Sequence, residues 1–205
     1  MTCADCQTGV TRYRPLVVPA LIAVNTAIYA LTAAQAGSVA DNSRAGLFES
    51  WSLVTDQVAR GEWWRLVTSG FLHFGPIHLA FNMIALWVIG KDLERLLGRP
   101  RFLAVYGVGL LGGSVAALCF SPPHAETAGA SGAVFALMGG LTVVLRELNL
   151  SVRPALAMIA INLVISVTVP NISLAGHLGG LLTGLVLTAL MIRHARRRPQ
   201  PGGPR

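Results

Sequence analysis

The chain has 205 residues, of which 53% are hydrophobic and only 12% charged, with a mean hydropathy of +0.60. A soluble domain carries roughly 25% charged residues, so this sequence lacks the polar surface to cover a water-soluble globule. The net charge of +7 does not point to nucleic acid, because the basic residues sit in short loops and a tail between apolar blocks, where they act as orientation signals for insertion.

In chain order, residues 1–14 form a short tail holding Cys3 and Cys6 in a C-x-x-C. A closed structural zinc site needs four ligands. No other Cys or His precedes His73, so zinc at Cys3 and Cys6 would require a second chain, and the pair reads as a remnant without metal. The first apolar span covers residues 15–36. Arg12, Arg14 and the closing Ala34-Gln35-Ala36 also fit a cleavable signal peptide, but the apolar run exceeds the ~7–15 residues of such a core.

Residues 37–70 are too polar to cross a bilayer. Within them Leu47, Trp51, Val54 and Val58 follow helical spacing, and Trp63, Trp64 and Arg65 are natural interface anchors. This segment reads either as a partly embedded outer element shaping access of substrate or water, or as an ordinary interfacial helix. Five further spans follow at about 71–90, 102–120, 128–145, 154–169 and 172–192, with Cys119 as a small packing residue, and 193–205 as a disordered basic tail. Blocks of ~20 apolar residues match a ~30 Å hydrocarbon layer. The expected fold class is an all-α polytopic membrane bundle over 15–192, with six transmembrane helices and a long, partly interfacial first outer loop.

With six spans, 13 of the 16 basic residues fall on the side of both termini and 3 on the other, so the termini are expected to be cytoplasmic. The single lysine, Lys91, and the Ala/Gly richness hint at a GC-rich bacterial genome, hence a multi-pass bacterial plasma-membrane protein.

Polar side chains inside spans are costly and tend to be functional. His78 and Asn82 in the second span, Ser131 in the fourth and His177 in the sixth all lie early in spans that run from outside to inside. At ~1.5 Å of rise per residue they should meet at one depth near the outer surface. A serine needs a base to become a nucleophile, and histidine supplies one. Gly129 and Gly132 flank Ser131 and would let a substrate backbone approach, while Gly180-x-x-x-Gly184 is a close-packing pattern that could seat the sixth span against the fourth. His78 and Asn82, one turn apart, could donate to a developing oxyanion. Taken singly these residues have plainer readings: a lone membrane serine usually bonds its own backbone, and His73 and His78 lack a His-Glu-x-x-His pattern. No metal or cofactor is expected. Ala133 also excludes the G-x-S-x-G elbow of soluble hydrolases.

At these residues the chain resembles the rhomboid intramembrane serine proteases. The matching strings are Glu62-Trp63-Trp64-Arg65, His78-Leu79-Ala80-Phe81-Asn82-Met83, Glu94-Arg95-Leu96-Leu97-Gly98, Gly129-Ala130-Ser131-Gly132-Ala133 and Gly176-His177-Leu178-Gly179-Gly180. The resemblance implies a Ser131–His177 dyad without an acidic third member, and an oxyanion hole from the Ser131 N–H with the side chains of His78 and Asn82. It implies single-span membrane proteins as substrates, entering sideways from the lipid bilayer and cut near the outer face. Phe135 stands where many relatives carry a tyrosine stacked on the catalytic histidine; the ring is kept and the hydroxyl lost. Two other readings stay open: a non-catalytic relative that escorts membrane helices, and a small-solute transporter, the latter poorly supported because no acidic residue lies within a span.

Overall fold

In the computed structural model, residues 14–122, 124–169 and 172–197 are described; Cys3, Cys6 and the end of the basic tail lie outside them. The chain order is α1 (Val17–Ala36), α2 (Gly46–Trp51), α3 (Thr55–Ala59), α4 (Arg65–Thr68), α5 (Pro76–Leu97), α6 (Arg99–Phe120), α7 (Ser131–Glu147), α8 (Arg153–Thr168) and α9 (Leu174–Arg197). The protein is all-helical. A single antiparallel bridge, Leu53 with Thr127, is the extended pairing among the described residues.

Each of the six apolar segments coincides with a helix, but their lengths are unequal. Among the described residues three helices, α1, α6 and α9, are long and apolar enough to cross a membrane, or four if α4 with the turn after it and α5 form one span broken by a 94° bend. The expected count of six exceeds this because α7 and α8 have 17 and 16 residues, short of the ~20 that a full crossing takes. α7 starts at Ser131 rather than Ala128, since Gly129 with φ 133° breaks the helical path. α5, α6 and α8 open with proline in the first turn, where its missing N–H costs nothing. The outward faces are studded with exposed Leu, Ile, Val and Phe, among them Phe81, Phe120, Ile161 and Val167, as lipid solvation demands. Cys119, expected to pack inside, is exposed.

The centre of the bundle is α9, packed along both α6 and α7. Close approach is set by glycine. A β-carbon on Gly180 would run into the backbone of Gly132, and one on Gly184 into the backbone of Ala136. Helices in lipid gain no hydrophobic drive from association, so such backbone contact supplies the attraction through dispersion. Buried Leu86, Ile89, Leu93, Phe102, Val105 and Leu137 fill the remaining core. α9 runs past Ile192 to Arg197, so the first part of the expected disordered tail is helical; there Arg196 pairs with Glu147 of α7.

α1 is attached differently. The fully buried Glu94 of α5 accepts hydrogen bonds from the N–H groups of Leu16 (2.9 Å), Val17 (3.2 Å) and Val18 (3.0 Å). These are donors with no partner inside α1, and the negative charge sits at the positive end of its dipole. Arg99 lies 3.9 Å from the same carboxylate.

The outer segment is not one helix but three short ones: Leu53, between the first two, pairs with Thr127, and Gly61 at φ 103° lies between the second and third. Trp63 and Trp64 are exposed, whereas Arg65 turns inward and is buried. Its guanidinium bonds Glu62 at 2.6 Å and the carbonyls of Glu49 and Ser52 at 2.7 Å each. Three acceptors converging on one planar fork make Arg65 the internal brace of the loop rather than an anchor in the interface.

Two predictions follow from the packing. Gly180→Ala, which drives a methyl into the Gly132 backbone, should cost about 1–3 kcal/mol as overpacking. Gly107→Ala, at a helical glycine with open space, should be neutral or stabilising by up to ~1 kcal/mol. Thermal unfolding in mild detergent distinguishes the two. Glu94→Ala leaves the α1 amides without their acceptor and should lower stability by about 1–3 kcal/mol, with Glu94→Gln falling between in the same assay.

Candidate active site

Gly129 decides the path into the site. Its φ of 133° is open to glycine and strained for other residues, and its N–H is held by the Ser69 carbonyl at 2.9 Å. This turn delivers Ser131 as the first residue of α7, so its own N–H is among those with no intrahelical acceptor. The site thereby sits at the positive end of a helix, where developing negative charge is stabilised.

His177 lies in the first turn of α9 and is buried. The ring of Phe135, one turn beyond Ser131 on α7, stacks on it with centroids 4.3 Å apart and planes inclined by 17°. The ring contact expected from the aromatic position is therefore made by phenylalanine. The Gly180–Gly132 contact, one turn from His177 and one residue from Ser131, fixes the separation of the two helices at the same level.

His78 approaches from α5. Its Nδ1 accepts the N–H of Phe74 at 3.3 Å, so the proton of the neutral ring belongs on Nε2. That nitrogen faces the turn before Ser131: a β-carbon built on Gly129 would lie 2.9 Å from His78 Nε2 and 3.6 Å from Ser131 Oγ. Gly129 is thus required for space as well as for φ. Asn82 is buried one turn further along α5, its Nδ2 donating to the His78 carbonyl at 3.0 Å. A cavity of about 770 Å³ collects Ser131, His177, His78, Asn82, Phe135 and Gly132 on its walls. Ser69 and Thr127 also line it, giving it polar as well as apolar walls.

The residue match agrees with comparison to known proteins. The Rhomboid domain family matches residues 60–194. This chain belongs to the rhomboid family. It is 42% identical over 142 residues to Rhomboid protease GluP of Bacillus subtilis (strain 168), covering 65% of this chain and 27% of GluP. It is 35% identical over 147 residues to the YdcA rhomboid protein of the same organism, covering 69% of this chain and 73% of YdcA. It is also 29% identical over 157 residues to Inactive rhomboid-related protein 2 of Caenorhabditis elegans, covering 70% of this chain and 45% of that protein. The chain spans about a quarter of the length of GluP, so similarity speaks for the shared membrane domain. With its family and its apolar helices, this rhomboid is an integral membrane protein.

The candidate residues Ser131, His177, His78, Asn82, Gly132 and Phe135 of this rhomboid are thus gathered around one cavity. Gly180 and Gly184 lie behind them in the helix seam, and Trp63, Trp64 and Arg65 stand apart in the outer loop. Among the described residues, no cluster of three or more His, Cys, Asp or Glu could hold a metal ion. Sequence reasoning missed Ser166 of α8, whose hydroxyl lies 2.6 Å from Nδ1 of His177. The available signal was Asn162 and Ser166, two polar residues at helical i, i+4 spacing in an otherwise apolar segment.

Proposed function

We propose that the chain is an intramembrane serine endopeptidase that cuts single-span membrane proteins by a Ser131–His177 dyad. The observation that carries this reading is that Ser131 and His177 line the same cavity, with Phe135 stacked on the imidazole. In this mechanism His177 takes the Ser131 proton as Oγ attacks the scissile carbonyl, then returns it to the leaving amine. Water frees the acyl-enzyme by the same exchange in reverse. The tetrahedral oxyanion accepts hydrogen bonds from the Ser131 N–H, His78 Nε2 and Asn82 Nδ2. Donors fixed before the reaction avoid reorganisation while charge develops.

A neutral dyad suits this environment, since burying a permanent charge costs far more than burying a hydroxyl and an imidazole. In the proposed topology the six principal helices each traverse the bilayer, the shorter α7 and α8 included, with both termini cytoplasmic. The cavity then opens near the outer face, where water is at hand. No nucleic acid, metal or cofactor takes part. The similarity to a rhomboid named inactive favours a second reading, a helix-binding relative without catalysis. Against it stands the presence together of a hydroxyl, a base and oxyanion donors.

Ser131→Ala and His177→Ala should each abolish cleavage of a single-span reporter in proteoliposomes while the protein still accumulates. A fluorophosphonate probe should label the native chain and not Ser131→Ala; absence of labelling in the native chain would favour the non-catalytic reading. Asn82→Ala should lower kcat by about 10²–10³, the loss expected for one oxyanion donor, without abolishing turnover in the same reporter assay.

A further inference from the structure

α8 touches the candidate base directly. Ser166 is buried, and its Oγ lies 2.6 Å from the carbonyl oxygen of Asn162 and 2.6 Å from His177 Nδ1. A serine hydroxyl has one proton, and a carbonyl oxygen can only accept. If that proton pointed at His177, the Asn162 oxygen and Ser166 oxygen would face each other at 2.6 Å with no hydrogen between them. Both short contacts are satisfied in one arrangement alone: Ser166 donates to Asn162, and His177 Nδ1–H donates to Ser166.

This proton count has a consequence at the other ring nitrogen. With the proton held on Nδ1, the neutral imidazole carries a free lone pair on Nε2, the form a general base must present. Phe135 fixes the plane of the ring by stacking, but stacking cannot distinguish one ring nitrogen from the other. The hydrogen bond can. We infer that Ser166 is a positioning residue that selects the Nδ1–H tautomer of His177 and relays its proton bias to the Asn162 carbonyl. It thereby fills, with a neutral hydroxyl, the orienting role that a carboxylate plays in a three-membered triad. The backbone carbonyl at the end of the relay is a fixed acceptor, so no buried charge is required.

The inference rests on the proposed dyad for its catalytic meaning, but the tautomer can be read independently of activity. The full chain, labelled with 15N-histidine and reconstituted in lipid, is compared with Ser166→Ala and Ser166→Thr, the His177 signals being assigned by their loss in His177→Asn. Imidazole 15N shifts report which nitrogen carries the proton, and a single-span reporter gives kcat and KM. In the native chain His177 should be protonated at Nδ1. Ser166→Ala should move the proton toward Nε2 and lower kcat about tenfold, the rate equivalent of one lost hydrogen bond, with KM unchanged. Ser166→Thr, which keeps a hydroxyl, should restore both.

An unchanged tautomer in Ser166→Ala overturns the inference whatever happens to the rate. So does a fall in kcat that Ser166→Thr fails to recover. A native chain that cleaves nothing would remove the dyad reading, while the 15N shifts would still decide whether Ser166 sets the tautomer.

Discussion

The contact of α9 with α7 through bare backbone is the constraint from which the rest of the arrangement follows. At Gly180 and Gly184 there is no room for even one carbon between the two helices. A side chain there would part the helices and carry His177 away from the face that bears Ser131 and Phe135. The seam therefore converts a property of composition, small residues at a spacing of four, into a fixed separation between the helices that carry Ser131 and His177. In lipid this form of precision is available because close packing, not exclusion of water, drives helices together.

Around that seam several polar groups are satisfied locally, and each such bond also orients something. The Ser69 carbonyl holds Gly129, which presents Ser131. The Phe74 N–H holds His78, which presents Nε2 toward the same point. Ser114 of α6 donates to the Leu66 carbonyl at 2.8 Å, tying the broken outer segment to the bundle. Inside a medium of low dielectric an unmade hydrogen bond is expensive and a made one is strong. Side chains that would be loosely held in water are thus held in place around the cavity.

Much of this was legible in the sequence because membrane insertion imposes coarse, periodic demands. Apolar blocks marked the six principal helices, and polar residues within them marked Ser131, His177, His78 and Asn82. Harder to read were features set by contacts between distant segments. Spacing alone made residues 47–58 look like one helix, yet pairing of Leu53 with Thr127 breaks it. Arg65 has the composition of an interface residue but is surrounded by carbonyls contributed from earlier in the loop. Length was equally misleading for α7, whose first residues are diverted by the turn at Gly129. Ser166 was hidden for another reason: a hydroxyl in an apolar helix usually bonds its own backbone, as this one does, and the second bond to His177 depends on how two helices meet.

Glu94 gives the fold a temporal order. The three amides it receives precede it by 78, 77 and 76 residues. During synthesis the first hydrophobic segment therefore leaves the ribosome well before the carboxylate that will complete it. Until α5 docks, the opening turn of α1 lacks this acceptor. Docking of α5 brings a buried carboxylate to that end and fastens the two segments together, so the opening turn of α1 is completed only by a segment made later.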